Sequence, residues 1–353
     1  MEGRGEKIMK KSAKVLSLVL AGAMMMSMTA CGSKAPETTT AAPETTTAAE
    51  NTSEAAESTA EKTADGKQFK IGVLQLVQHA ALDASNKGFI QALDDAGLNY
   101  TVDQQNASGD QPTCQTIASK LVNDKDDLIL AIATPAAQAV AGATSDIPVL
   151  VTAVTDPASS DLVESNDNPG GNVSGTSDLT PVKEQISLLK KILPDAKTVG
   201  ILYCSSESNS EIQAKMAKDA IEAEGMTAVD YTVSNSNEIQ TVVTSMVGKV
   251  DAIYAPTDNT VAAGMATVSM VAIENKIPVI CGEEGMVNAG GLATYGIDYY
   301  ELGYLTGQQA VKILTEGADI SKMPIEYLPL DKCKLTVNEE TAKTLGIDVS
   351  SLK

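Results

Sequence analysis

Residues 70–97 read KIGVLQLVQHAALDASNKGFIQALDDAG, and the two halves of this stretch have different hydrophobic periods. Lys70 to Val77 is a nearly continuous apolar run as long as one buried strand. Leu82, Phe89, Ile90 and Leu93 then recur at helical spacing as far as Gly97, a residue suited to ending a helix. A buried strand feeding an amphipathic helix is the unit of a parallel sheet covered on both faces. The unit repeats downstream, with strands predicted near 98–104, 127–132, 147–152 and 172–176 and helices near 112–122 and from Pro135. A helix over 182–193, marked by Val182, Ile186, Leu189, Ile192 and Leu193, leads into Thr198 to Tyr203, where the alternation starts again. Helix 209–224, strands near 227–232 and 250–254, helix 260–274 and strands 277–281 and 291–295 complete the second series. The pattern predicts an α/β protein with two doubly wound parallel-sheet lobes. Lobe 1 is expected over 67–181 plus a returning helix in 296–319, and lobe 2 over 182–295 plus 320–353.

Upstream of the strands the composition changes. Lys7, Lys10, Lys11 and Lys14 precede an apolar run from Val15 to Met26, the layout of a signal peptide over residues 1–30 and too short for a membrane span. Met28-Thr29-Ala30-Cys31 resembles a bacterial lipobox, which implies export, cleavage before Cys31 and a lipid on its thiol. Met1 to Ile8 serve no purpose in a signal peptide, so translation is expected to start at Met9. Residues 31–66 are nearly all Thr, Ala, Glu, Pro, Ser and Lys, with APETTT at 35–40 repeated at 42–47. Such a segment buries too little apolar surface to offset its ordering entropy and reads as a tether.

The net charge is −20, and the first thirty residues hold five basic and two acidic side chains, leaving −23 on the remainder. Nothing there offers a basic face to nucleic acid. Arg4 is the sole arginine, so an anion bound by the folded part is held by hydroxyls, backbone N–H groups or lysine rather than by a guanidinium fork. His79 is the sole histidine, which excludes a histidine-based metal cluster and argues against a catalytic triad. No P-loop, G-x-S-x-G elbow or H-E-x-x-H occurs, and Glu283 and Glu284 are adjacent and would diverge. No enzyme, cofactor or metal is expected. Cys114, Cys204, Cys281 and Cys333 match no zinc or redox spacing. Cys204 and Cys281 should end strands separated by a third, about 9.6 Å apart and beyond disulfide reach.

In an open parallel sheet, ligands bind beyond the carboxyl ends of the strands. Six loops lie there: Gln75–Asp83, Ala133–Gln138, Thr152–Pro157, Tyr203–Ser210, Pro256–Thr260 and Gly282–Met286. They contain no lysine and six acids: Asp83, Asp156, Glu207, Asp258, Glu283 and Glu284. Helix starts can hold a carboxylate through free N–H groups, and an Asp can hold an ammonium. Together those describe an α-amino acid, whereas a phosphate would meet acids. Ordinary N-capping accounts for many of these residues singly. Asp156 and Asp258 suit caps as well as ligands, and Glu207 suits a solvated first-turn acid.

The stretches IGVLQLVQHAALD (71–83), GDQPT (109–113) with ATPAAQA (133–139), TAVTDP (152–157), GGNVSGTSD (170–178), GILYCSSESNS (200–210), DAIYAPTDNTV (251–261) and GGLATYGIDYYELG (290–303) span nearly all of 69–350. Together they resemble the substrate-binding lipoproteins of ABC transporters, in the family that includes tryptophan- and tyrosine-import binding proteins. The resemblance implies a type I periplasmic-binding-protein fold whose lobes are joined by a three-strand hinge and close on a ligand. Carried onto matching positions, it implies a site of His79, Thr134, Ala136, Thr155, Asp156, Ser205, Ser206, Glu207, Asn209, Ser210, Asp258 and Asn259, with Asp298 near the hinge. Asp258 or Asp156 would pair with an ammonium, and the helix starts at 134–136 and 205–210 would hold the carboxylate. Ala80 departs from relatives that carry Pro after the histidine, which puts the shape of the first loop in question. Tyr203, Tyr254 and Tyr295 are candidates either for the side-chain pocket or for the core.

The expected function is the extracytoplasmic binding component of an ABC importer. It would be anchored to the cell membrane through Cys31 and monomeric, and would deliver an aromatic amino acid to a permease with ATPase subunits. A sugar- or nucleoside-binding transport lipoprotein is the alternative. Sugar sites commonly stack pyranose rings on aromatics, and the folded part has no Trp and only two phenylalanines, Phe69 and Phe89, neither in a promising loop.

Overall fold

The computed structural model describes residues 66–352. The signal segment, nearly all of the tether and Cys31 lie outside the described residues.

The first sheet contains β1 (Phe69–Gln75), β2 (Tyr100–Asn106), β3 (Leu128–Ile132), β4 (Val149–Val154), β5 (Val173–Ser177) and β11 (Glu326–Tyr327). They run in the order β11-β5-β4-β3-β1-β2, and every pairing is parallel. Helices α1 (Ala80–Asp95), α2 (Gln111–Asn123), α3 (Thr134–Ala143) and α10 (Tyr299–Glu316) pack with these strands. The central strands β3 and β4 read LILAI and VLVTAV and are buried throughout, as strands covered on both faces must be. At the edge, β2 reads YTVDQQN and has no fully buried residue.

The second sheet holds β6 (Thr198–Cys204), β7 (Thr227–Val233), β8 (Ala252–Ala255), β9 (Val279–Cys281), β10 (Ala293–Gly296) and β12 (Lys334–Val337), in the order β12-β10-β9-β8-β6-β7. Only the β10–β12 pairing in it is antiparallel. Its helices are α4 (Val182–Ile192), α5 (Ser208–Ala223), α6 (Ile239–Met246), α7 (Asn259–Ala263), α8 (Met265–Glu274), α9 (Glu284–Asn288) and α11 (Glu339–Leu345). Because β8 lies between β6 and β9, Cys204 and Cys281 are kept apart, and all four described cysteines are free.

Three differences from the sequence expectation have physical causes. The helix expected over 260–274 is two, α7 and α8, broken at Gly264, where a Cβ would stand 2.2 Å from Ile239 Cδ1. No element is expected between 232 and 250, yet α6 buries Ile239, Val243 and Met246 at i, i+4 and i+7. The return to lobe 2 comes later than 320, because β11 pairs with β5 and keeps the chain with the first sheet. The chain therefore passes between sheets at 178–181, 297–298 and 328–333.

One close approach matters for the site. Helices α1 and α10 touch through glycine, so tightly that a Cβ on Gly303 would fall 1.8 Å from the Ser85 carbonyl oxygen. That contact fixes the first turn of α10, and with it Tyr299, against lobe 1.

Candidate ligand site between the lobes

The strand ends of the two sheets face one another, and the lobes touch. Gln111 Nε2 donates to the Ser206 carbonyl at 2.7 Å, and Gln138 Nε2 lies 3.4 Å from Ser208 Oγ. Deeper, His79 Nε2 meets Asn259 Oδ1 at 3.2 Å, and Gln213 Nε2 donates to Thr155 Oγ1 at 2.9 Å. Two cavities sharing Asn259 lie between these contacts. The inner one is tight, about 10 Å³, and is lined by His79, Asp178, Asn209, Asp258, Glu283 and Tyr299 among others. The outer one, about 260 Å³, has Leu76, Val77 and Pro135 on one side and Ser206, Glu207 and Thr260 on the other.

The inner cavity holds three buried carboxyls and no lysine. Two of them are occupied by the backbone of lobe 2. Asp258 caps α7, accepting from Val261 N at 2.7 Å and from Cys204 N at 2.6 Å. Glu283 caps α9, accepting from Met286 N at 2.8 Å and from Gly285 N. Asp178 differs. Its Oδ2 accepts from the Tyr299 hydroxyl at 2.8 Å, while the buried Oδ1 has no partner. Burial disfavours the charged form of each. It pushes Asp178 up to about 6 and Glu283 up to about 7. Burial, reinforced by the nearby Glu207 charge, also lifts Asp258 well above the ordinary carboxylate range.

The helix starts divide the same way. Helices α7 and α9 are capped by Asp258 and Glu283, whereas α1, α3 and α5 begin with no side-chain cap. Their leading N–H groups keep the anion affinity of a helix start. Beside them, Thr134 Oγ1, His79 Nδ1 and Asn209 Oδ1 are buried without partners. Burial lowers the His79 pKa, favouring the neutral ring. With Asn259 Oδ1 accepting, Nε2 carries the proton and Nδ1 is a bare acceptor. The arrangement can take a small zwitterion, with its ammonium at Asp178 Oδ1 and its carboxylate at the uncapped helix starts.

The sequence-derived residues separate accordingly. His79, Asn209, Asp258 and Asn259 line the inner cavity, and Ser206, Glu207 and Asn259 line the outer one. Thr134 and Ala136 are buried at the start of α3, and Ser210 is buried against Asp258. Glu207 is no solvated acid: it accepts from Asn259 Nδ2 at 2.6 Å and from Thr260 N and Oγ1 at 2.9 and 2.7 Å. Asp156 turns away into its own loop, accepting from Ser159 Oγ at 2.7 Å and Asn166 Nδ2 at 2.9 Å. Asp298 caps α10 through Tyr300 N and Glu301 N and stands 3.7 Å from Lys334. Ser205 bonds the Val233 carbonyl. Neither cavity is lined by Asp156, Asp298 or Ser205. Tyr254 is a core residue whose hydroxyl donates to Gln185 Oε1 at 2.7 Å, and Tyr295 lines a groove beside the crossovers. Tyr203 lines neither cavity. Asp178 and Tyr299 also line the inner cavity and are not among the sequence-derived residues.

Two parallel-sheet lobes, three crossovers and a polar cleft at the strand ends define the type I periplasmic-binding-protein architecture. The chain belongs to the family of ABC transporter substrate binding proteins, which matches it over residues 70–351. It is 44% identical over 344 residues to a tyrosine-binding protein of Clostridioides difficile (strain R20291), covering 96% of this chain and 94% of that one. A Streptococcus pneumoniae ABC domain crystallised with L-Trp is 40% identical, with a TM-score of 0.78 over 81% of this chain and 97% of its own. A ligand-free, open substrate binding protein with adhesive properties from Clostridium difficile is 48% identical, yet its TM-score is only 0.61 over 80% and 96%. The more similar sequence is thus the less similar shape.

Proposed function

We propose that this chain captures an aromatic amino acid by closing its lobes on the α-ammonium and α-carboxylate, and hands it to an ABC permease. The observation that carries this reading is Asp178, a buried carboxylate with one oxygen unpartnered, facing a cleft that also holds uncapped helix starts. A relative named for tyrosine and another crystallised with L-Trp support the aromatic side chain. The outer cavity, walled by Leu76, Val77, Pro135 and Ala263, is the natural place for such a ring. Among the described residues Tyr299 is the sole Phe, Tyr or Trp lining either cavity, which disfavours a stacked sugar.

The chain carries out no chemistry. Ligand contacts in both lobes stabilise the closed form through differential affinity, the permease reads that form, and ATP is hydrolysed by partner subunits. Membership of an ABC substrate-binding family implies an extracytoplasmic location. The sequence before Cys31 supports a lipid anchor there, with residues 32–66 as the tether. Among the described residues no helix is long and apolar enough to cross a membrane.

A thermal-shift screen against the twenty amino acids and common sugars tests the reading. L-tyrosine and L-tryptophan at about 100 times Kd should add about 2.7 kcal/mol of stability and raise Tm by several degrees. A shift with a sugar and with no amino acid overturns it. Asp156→Ala should leave the affinity for the responding ligand within about twofold, as expected for a loop residue turned away from the cavities. Calorimetry showing a tenfold loss would return Asp156 to the site.

A further inference from the structure

Gln213 sits in the middle of α5, fully buried, and lines neither cavity. Its amide lies between the lobes. On its own lobe it bonds Thr257: Nε2 to the hydroxyl and Oε1 to the backbone N–H at 3.4 Å. Across the cleft Nε2 donates to Thr155 Oγ1 at 2.9 Å. Opening the cleft exchanges this bond for bonds to water at a modest net loss, so the bond favours the closed arrangement.

The other end of this bond is positioned with care. Strand β4 carries one extra residue against β5: the register runs Val151 opposite Gly175, then Val154 opposite Ser177. The bulge places Ala153 at φ 55°, a conformation that costs a non-glycine residue energy. Bulges re-aim side chains next to sites, and here Thr155 leaves the strand toward α5. Its carbonyl is held by Ser177 Oγ at 2.6 Å, next to Asp178. The Asp178 backbone N–H donates to the Val154 carbonyl at 3.2 Å, so the strand end that carries Thr155 also holds Asp178 in place.

We propose that Gln213 is a closure latch and positioning residue, whose amide reaches Thr155 only when the lobes meet and steadies the strand end that holds Asp178. Lobe closure and pairing of the ammonium with Asp178 then reinforce one another. The latch rests on the assignment of Asp178 made above. It has no part in ligand contact.

A double-mutant cycle tests it. Wild type, Gln213→Leu, Thr155→Val and the double variant are titrated with L-tyrosine and L-tryptophan by calorimetry, and the unfolding midpoint of each ligand-free protein is recorded. Each single change should raise Kd about tenfold, from the loss of one buried hydrogen bond. The double variant should stand at about the same tenfold, because both changes delete one bond. Independent losses multiplying to about a hundredfold, or an unchanged Kd in Gln213→Leu, overturn the latch. If wild type binds neither amino acid, the proposed function fails instead. The latch is then judged by small-angle X-ray scattering of the ligand-free proteins, where Gln213→Leu and Thr155→Val should each reduce the compact fraction. Identical scattering in all four would overturn it. Should Gln213→Leu fail to fold, Thr155→Val reports on the same bond from the other lobe.

Discussion

Asp178→Asn is expected to bind its aromatic amino acid about a hundredfold or more weakly while melting at a temperature close to wild type. The substitution keeps the shape and the Tyr299 contact but removes the charge at Oδ1 that is proposed to meet the ligand ammonium. Truncating one partner of a buried charge pair costs about 2–5 kcal/mol, most of it from the charge left unpaired. The pH dependence adds a second readout. In the empty site burial raises Asp178 to about 6, above the usual carboxylate value, so the ionised form that pairs with an ammonium is populated above that pH and lost below it. Affinity should therefore be level above pH 7 and fall as pH drops through 6, by up to about tenfold per unit. Asp178→Asn should flatten that fall. Calorimetry at pH 5 to 8 checks both statements, and an Asp178→Asn variant with wild-type affinity would move the ammonium to Glu283 or Asp258.

Gly285→Val should hold the lobes apart. Gly285 lies in the first turn of α9 in lobe 2, and a Cβ built there would stand 2.9 Å from Ala80 Cβ at the start of α1 in lobe 1. A β-branched side chain needs more room still, and it also crowds the Glu283 carboxylate, 2.9 Å from the same point. Overpacking of this kind costs about 1–3 kcal/mol. The part of the cost that comes from Ala80 falls on the closed state alone, because opening the cleft relieves that clash while the crowding of Glu283 stays in both states. The expected result is a loss of affinity of up to about a hundredfold, with ligand-saturated protein as extended in small-angle scattering as the ligand-free form. Compaction on ligand addition equal to wild type would contradict the closed geometry described above.

Most of the architecture is legible in the chain because short, nearly continuous apolar runs alternate with stretches of 3.6-residue period, as they do within 70–97. The break at Gly264 is not legible, since it depends on Ile239 reaching across from α6. The placement of β11 is not legible either: two residues, Glu326 and Tyr327, carry no strand pattern and are fixed only by pairing with β5. The loops that line the two cavities are legible as a region, and which side chains in them face the cavities is not. Asp156, Asp258, Glu283 and Asp298 all precede a turn or helix start, and sequence cannot say which keeps an oxygen free. In the structure each of these four accepts local hydrogen bonds. Asp178 ends a strand that runs into a crossover instead of a helix, so the rule that finds ligand loops at strand–helix junctions passes over it. Gln213 has no sequence signal, being one polar residue inside an amphipathic helix.

A crystal structure of the chain with L-tyrosine bound tests the central claim most directly. The account predicts closed lobes, the ammonium nitrogen within about 3 Å of Asp178 Oδ1, and the carboxylate against the starts of α1, α3 or α5. An ammonium paired elsewhere with Asp178 Oδ1 still empty, or a ligand bound outside the cleft, would contradict it.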